Sequence, residues 1–294
     1  MKLEKVLKKV SKKIWNELKP VNGVNINIHS TREEALSSMG LRILAESKCN
    51  NILRIEMINS SQESVRGYDY EICIGSPKKR KFIRFFIQAK RLYGHKLNSK
   101  YKAYDSSQSI ILENYSKTYK GIPLYSLYNH LDIPESELLR YYNSVGVFNK
   151  KHLGVTLTTT TKLKGGANFN SVHDSGILNY YRLPFYRYHP LDLQFYEDNI
   201  QVGVPFHELA NFTIEKAEDF NKIHKQRKGK NILPFFFFFF DPELLGDDDE
   251  LIPILKMNEE ELVADFNQRT ELNSKREGFS PKALIILEQE NLYE

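Results

Sequence analysis

The sequence predicts an α/β protein with a mixed central sheet flanked by helices. Helical and strand patterns follow one another through residues 30–130 in the order α-β-β-β-α-β. The segment 90–122 contains a predicted helix and is long enough for a crossover, so the strands on either side should be parallel neighbours. With 41% hydrophobic and 27% charged residues among 294, the composition is that of a soluble globular protein.

Two helices are predicted first. Residues 2–19 have the spacing of an amphipathic helix, with apolar side chains at Val6, Leu7, Val10, Ile14 and Leu18. We interpret it as a helix docked on the core, with contact to a membrane surface or to nucleic acid as alternatives. A second helix is predicted at about 31–47, with Ser30 as N-cap and Glu33 at the capping-box position.

Strands come next. One strand is predicted at about 51–58, followed by a hairpin of strands 68–74 and 82–90 around the turn SPKKRK. Later strands are predicted at IPLYSLYN, GVTLTTTT and ALIILEQE. The apolar run ILPFFFFFF has strand length, and we expect it to be buried on both faces.

The crossover helix follows the hairpin. Its N-cap is predicted at Asp105 or Ser106, and its end at Gly121. The apolar residues of this helix include Ile110, Ile111 and Tyr115.

Composition excludes several classes of protein. Cys49 and Cys73 cannot form a disulfide framework and lack zinc-site spacing, so a reducing cytoplasm is expected. No apolar run has the length of a membrane helix, and we expect no membrane partner. The sequence contains no H-E-x-x-H pattern, P-loop or dinucleotide fingerprint. A net charge of +5 favours a polyanionic partner.

Four polar residues interrupt the otherwise apolar hairpin. Because side chains alternate along a strand, Asp69 and Glu71 should share one face, and so should Gln88 and Lys90. Pairing through the turn would bring the four groups together near one end of the sheet. Two carboxylates and an amide oxygen are hard ligands that suit Mg²⁺, and a lysine there can offset charge that develops on phosphorus.

The GYD stretch, the hairpin and the QAK stretch resemble the catalytic signature of the PD-(D/E)XK, or restriction-endonuclease-like, superfamily in its Gln-x-Lys variant. The predicted α-β-β-β-α-β order is similar to the core of that superfamily. The closest resemblance is to a little-characterised bacterial family linked to anti-phage defence. It covers about residues 30–130, and it implies a restriction-endonuclease-like core.

The resemblance also implies roles for individual residues. Asp69 would be the principal metal ligand, Gln88 the second ligand and Lys90 the catalytic lysine. Many members place a glutamate on the first core helix, where the candidates are Glu33 and Glu34, and we favour Glu33. No proline precedes the aspartate, and Gln88 replaces the usual acid, so Glu71 is expected to compensate for the missing charge.

The same resemblance divides the chain into three parts. Residues 1–28 would form an N-terminal helical arm, and residues 29–165 the nuclease-like core. Residues 166–294 would be a C-terminal extension, either packed on the same core or separate. Five basic residues are expected to contact nucleic acid, because they follow the catalytic strand or lie in the hairpin turn: Lys78, Lys79, Arg80, Lys96 and Lys100.

The function implied is a Mg²⁺-dependent nuclease, with Mn²⁺ as a substitute metal, acting as a DNA endonuclease in bacterial anti-phage defence. The alternatives are a catalytically inactive nucleic-acid-binding module and a partner-binding subunit of a defence complex. A homo-oligomer is a further expectation. Gln108, early in the crossover helix, could face the site or serve on the surface or as a cap.

Overall fold

The computed structural model describes residues 2–20, 32–47, 52–58, 60–76, 78–101, 106–136, 149–160, 167–173, 204–211, 213–226, 252–277 and 284–287. The predicted buried run ILPFFFFFF lies outside these residues and stays a prediction. No helix within the ranges just given is long and apolar enough to cross a membrane.

The described helices lie on both faces of a sheet. They are α1 (Leu3–Glu17), α2 (Glu33–Glu46), α3 (Ser60–Arg66), α4 (Ser106–Thr118), α5 (Phe169–His173), α6 (Ile214–Gln226) and α7 (Glu259–Glu277). Two short 3₁₀ helices cover Lys150–Gly154 and Phe206–Asn211.

The described strands form one nine-stranded sheet. They are β1 (Ile52–Met57), β2 (Tyr70–Ser76), β3 (Lys81–Tyr93), β4 (Lys100–Tyr101), β5 (Ile122–Tyr128), β6 (Val155–Thr159), β7 (Val204–Pro205), β8 (Leu255–Lys256) and β9 (Leu284–Leu287). The order is β7-β6-β5-β3-β2-β1-β9, with β4 and β8 paired to β3. Strand β5 is parallel to β3 and antiparallel to β6, so the sheet is mixed. The α/β class and the parallel crossover through α4 are confirmed.

The two faces of the sheet pack against different helices. On one face Ile72, Phe85 and Ile87 share a hydrophobic cluster with residues of α1 and α2. The helix α1 is docked on the core there, as expected from its apolar spacing. On the other face Phe86 packs with Leu112 of α4. The end of the β2–β3 hairpin therefore lies between α2 on one side and α3 and α4 on the other.

Three local predictions are wrong or incomplete. Helix α2 starts at Glu33 with Arg32 in the N-cap position and no side-chain cap, so Ser30 is not its N-cap. In α4, Ile110 is 56% exposed, whereas Ser109 and Ser116 are buried with Leu112. Small serine side chains let this helix lie close to the sheet, which an apolar-spacing rule does not anticipate. Helix α3, between β1 and β2, was not predicted.

Candidate active site

The register of the hairpin brings Asp69 beside the end of β3. Tyr70 is paired with Ile87, and the backbone N–H of Asp69 donates to the carbonyl of Ile87 at 2.9 Å. Gln88 and Lys90 follow on β3, so their side chains project on one face next to the point where β2 begins. The predicted convergence of Asp69 with Gln88 is confirmed by a hydrogen bond from Gln88 Nε2 to Asp69 Oδ2 at 2.7 Å.

Two carboxylates accept hydrogen bonds from the backbone of β3 at the point where β2 is no longer paired with it. Beyond Ile87, β2 no longer supplies acceptors for the backbone N–H groups on that edge. The N–H of Ala89 donates to Asp69 Oδ2 at 2.5 Å, and the N–H of Arg91 donates to Glu33 Oε1 at 2.8 Å. These bonds fix both carboxylates at the end of the hairpin. Glu33, the helix glutamate favoured from the sequence, reaches the site from the first turn of α2.

Gln88 has an unequal set of partners. Its Nε2 donates to Asp69 and, at 3.3 Å, to Glu63 Oε1. Its Oε1 is buried and has no hydrogen-bond partner among the described residues. An unpaired buried acceptor costs about 1–3 kcal/mol, and in proteins such an atom commonly binds an ion or a water molecule.

Glu63 and Gln108 complete the cluster. Gln108 Nε2 donates to Glu63 Oε1 at 2.7 Å, and Lys90 Nζ donates to Gln108 Oε1 at 3.2 Å. Of the roles left open for Gln108, the structure therefore has it facing the site. Sequence reasoning missed Glu63 because it missed α3. The S-x-x-E pattern of Ser60 and Glu63, a capping-box spacing, was the signal that could have indicated this helix.

The cluster carries more negative than positive charge. Burial, followed by the charge of Glu63, raises the pKa of Asp69 to about 8 against the opposing effects of the Ala89 N–H and of Lys90. Burial also raises the pKa of Glu33. Among the described residues, the carboxylates of Asp69, Glu63 and Glu33 act on one another here, and the opposing charges are those of Lys90 and, at Glu33, of Arg91. A proton or a metal cation bound at this place would be stabilised by the carboxylates.

Glu71 does not join this cluster. It is fully buried between two guanidinium groups, with Arg84 Nε at 3.0 Å and Arg269 Nη2 at 3.0 Å. Although it shares a face with Asp69, it lies two residues further into β2, where these arginines neutralise it. The predicted convergence of Glu71 with Gln88 and Lys90 is therefore wrong, and the residue ties α7 to the sheet instead.

The basic hairpin turn is far from the site. The turn follows the pair Ser76 and Lys81, at the end of the hairpin opposite to Asp69. At the rise per residue of a strand, Ser76 lies about 20 Å from Asp69. Lys79 forms an ion pair with Glu215, and Arg80 pairs with Glu261 at 3.2 Å. Lys78, Lys79 and Arg80 therefore lie away from the site, which is at the open end of the hairpin, and their contact with nucleic acid stays a prediction.

Two of the predicted basic residues do lie at the site's end of the sheet. Lys100 is exposed and is paired with Tyr93 at the end of β3, three residues past Lys90. Lys96 is exposed in the connection between β3 and β4. Neither lysine takes part in an ion pair among the described residues, whereas Lys79 and Arg80 in the hairpin turn do.

The residues of the cluster fit a divalent cation by their chemistry. No three His, Cys, Asp or Glu side chains in the described ranges are grouped so that they alone could hold a metal ion. The oxygen ligands available are the carboxylate of Asp69 and Oε1 of Gln88, which has no hydrogen-bond partner among the residues that the structure describes. The carboxylate of Glu63 lies beside the same amide, 3.3 Å from its Nε2. These are hard oxygen ligands of the kind that Mg²⁺ binds.

Fold and site together define an α/β protein with a mixed sheet and a buried acidic cluster at the open end of one hairpin. The chain belongs to the family of unknown function DUF6615, whose model matches residues 3–187. Every residue of the cluster lies within that range. No curated protein matches the sequence.

Proposed function

We propose that this protein is a metal-dependent nuclease that hydrolyses phosphodiester bonds in DNA. The observation that carries the proposal is the side-chain amide of Gln88, on the strand that also presents Lys90. Its Nε2 donates to Asp69 and Glu63, and its buried Oε1 has no hydrogen-bond partner in the described part of the chain. A role in bacterial anti-phage defence is proposed with it, on the sequence resemblance alone.

The fold supports a restriction-endonuclease-like core. Apart from α3, the order α2-β1-β2-β3-α4-β5 follows the α-β-β-β-α-β order of that superfamily. The parallel pairing of β3 with β5 through α4 also suits it. Asp69 at the start of β2, and Gln88 and Lys90 on β3, occupy the positions that the resemblance assigns to the catalytic residues.

Asp69 and Gln88 would hold a Mg²⁺ or Mn²⁺ ion, and Glu63 and Glu33 would add negative charge around it. When bound, such an ion polarises a phosphate oxygen and lowers the pKa of a water molecule. A half-turn of the Gln88 amide exchanges its nitrogen and oxygen, which are similar in size, and turns the oxygen toward Asp69. The hydrogen bond of Asp69 to the Ala89 N–H keeps the carboxylate in place.

Lys90 supplies the positive charge of the site. Its side chain is only 4% exposed, so its ammonium acts where water screens it weakly. It would offset the charge that develops on the phosphodiester during attack. Lys96 and Lys100, exposed at the same end of the sheet, would contact neighbouring phosphates.

A catalytically inactive nucleic-acid-binding module is the second candidate. The observation that favours it is that the polar side chains of the cluster pair with one another, since Gln88, Gln108 and Lys90 each donate to a neighbouring side chain. Such a module would bind nucleic acid with a strong salt dependence but would not cleave it.

The deciding experiment incubates the purified protein with plasmid, single-stranded DNA and RNA in Mg²⁺, in Mn²⁺ and in chelator. We expect cleavage of DNA that needs the metal and is lost in Asp69→Asn, while the exposed matched control Asp219→Asn retains it. Calorimetry with Mn²⁺ should show binding by the wild type and by Asp219→Asn only. Absence of both cleavage and Mn²⁺ binding in the wild type would refute the proposed function.

A further inference from the structure

We propose that Glu63 is a positioning residue that sets the place of the Lys90 ammonium through the side chain of Gln108. The inference rests on the proposed function, in which Lys90 acts on the phosphodiester. It assigns a role to α3, a helix that lies between the first two strands of the predicted core.

The connection consists of two hydrogen bonds in series. Glu63 Oε1 accepts from Gln108 Nε2 at 2.7 Å, and Gln108 Oε1 accepts from Lys90 Nζ at 3.2 Å. Three elements thus contribute one residue each: α3, α4 and β3.

The chemistry of an amide makes this connection directional. A glutamine side chain has one donor end and one acceptor end, whereas an ionised carboxylate only accepts. By holding Nε2 of Gln108, Glu63 leaves Oε1 as the end that faces Lys90. If the amide turned over, its NH₂ would face the ammonium and the bond would be lost. Lys90, on a flexible stem, would then lack this acceptor.

The backbone holds α3 close enough for this contact. Gly67, directly after α3, has a positive φ of 73°, and a Cβ there would lie 2.7 Å from the carbonyl oxygen of Gln108. It would also lie 2.6 Å from the backbone nitrogen of Leu112. The glycine of the GYD stretch therefore permits the chain to approach the first turn of α4, next to Gln108 itself.

The test compares three variants that keep or remove the connection. Glu63→Gln keeps an oxygen that can accept from Gln108, whereas Glu63→Ala removes one of the two bonds and Gln108→Met removes both. We expect kcat for DNA cleavage in Mg²⁺ to fall about a hundredfold in Glu63→Ala and in Gln108→Met, with KM nearly unchanged, because the ammonium is misplaced. Glu63→Gln should lose only a few-fold in kcat, because it removes a charge near the ion but keeps the acceptor that holds Gln108. Gln108→Met decides the matter if Glu63→Ala does not fold.

A second measurement needs neither metal nor cleavage. The rate of acetylation of Lys90 in chelator is followed by peptide mass spectrometry, relative to the exposed Lys117 on α4. It should rise several-fold in Glu63→Ala and in Gln108→Met, and stay at the wild-type value in Glu63→Gln. A failure of wild-type cleavage would refute the proposed function, whereas this rate would still decide whether Glu63 positions Lys90.

Two outcomes overturn the inference. Wild-type rates in all three variants would mean that the connection does not position Lys90. Equal impairment of Glu63→Gln and Glu63→Ala would mean that Glu63 acts through its charge, as a metal ligand does, and not as a fixed hydrogen-bond acceptor.

Discussion

The Nε2 atom of Gln88 lies 2.7 Å from Asp69 Oδ2, while the Oε1 atom of the same amide is buried and has no hydrogen-bond partner within the described ranges. The amide nitrogen therefore donates a hydrogen bond to the carboxylate, whereas the amide oxygen accepts none from the described residues. Without an ion, a donor is needed at this place because two carboxylates surround it. With an ion, an oxygen ligand would be needed instead. Substitutions at Gln88 should consequently have opposite effects in chelator and in Mg²⁺.

Gln88→Glu should be destabilised in chelator and rescued by Mg²⁺. A third carboxylate next to Asp69 and Glu63 cannot donate, so we expect the free energy of unfolding in EDTA to fall by about 1–3 kcal/mol. Mg²⁺ should raise the melting temperature of this variant more than that of the wild type, and cleavage should be retained. Gln88→Leu, the control, should show no Mg²⁺ response and no cleavage. An active Gln88→Leu together with an inactive Gln88→Glu would contradict the ligand role.

Asp69 should make the metal-free protein less stable as pH rises. Its pKa is raised to about 8 in the folded protein, against about 3.9 when unfolded, so the folded state binds the extra proton between these values. Stability from this residue is present below about pH 4 and is lost as pH rises through 8.

Asp69→Asn removes that dependence. In urea titrations in EDTA, the variant should gain a few kcal/mol over the wild type between pH 5 and pH 9. The exposed Asp219→Asn should follow the wild type at both pH values. Parallel curves for Asp69→Asn and the wild type would show that the buried carboxyl keeps an ordinary pKa.

Lys90→Met should separate chemistry from folding. The substitution keeps most of the buried stem and removes the ammonium, whose acceptor is Gln108. We expect kcat to fall about a hundredfold or more, with a melting temperature within a few degrees of wild type. The matched variant is Lys100→Met, at an exposed lysine on β4 at the same end of the sheet. It should weaken DNA binding and reduce the salt dependence of that binding, while kcat is retained. Full metal-dependent cleavage by folded Lys90→Met would exclude a catalytic role.

Arg269→Met should unfold the protein more readily rather than alter its chemistry. It leaves Glu71 buried with one of its two guanidinium partners, and loss of a buried ion-pair partner costs about 3–5 kcal/mol. Any fall in activity should match the unfolded fraction measured by circular dichroism, and specific activity per folded molecule should be unchanged. If Arg269→Met were as stable as the wild type but no longer bound metal, Glu71 would have to be counted among the residues of the site.

The pair His152 and His207 should make the fold sensitive to acid. The two rings lie 5.4 Å apart, and burial, aided by the charges of Lys12 and Lys8, lowers the pKa of His152 to about 4. Burial, followed by the charge of Lys8, lowers the pKa of His207 to about 3. The unfolded chain binds these protons from about pH 6.5, so the stability that the neutral rings contribute is lost as pH falls from 6.5 through 4 and 3.

The acid effect is measured in the Asp69→Asn background, where the opposite pH dependence of Asp69 is absent. Replacing His207 with Gln should flatten the decline in unfolding free energy between pH 6.5 and pH 4.5, and His152→Gln should do the same. If the slope in both variants equals that of the parent, the histidines titrate normally and another group causes acid unfolding.

Local patterns in the sequence were enough to predict the hairpin, the crossover helix and the pairing of Asp69 with Gln88. Alternation along a strand and the connectivity of β3, α4 and β5 are properties of short segments, so they can be read from the residues in order. The same alternation placed Glu71 on the face of Asp69, and it does share that face.

The tertiary structure decided which polar groups act together. Glu71 lies outside the cluster because it forms an ion pair with Arg269, which is distant in sequence and lies on α7. Glu63 and Gln108 enter it because α3 docks on α4 at Gly67. Such contacts depend on how separate elements pack, and the energy of a buried charge depends on every group around it. No periodicity in the sequence carries that information, so it appears only when the chain is folded.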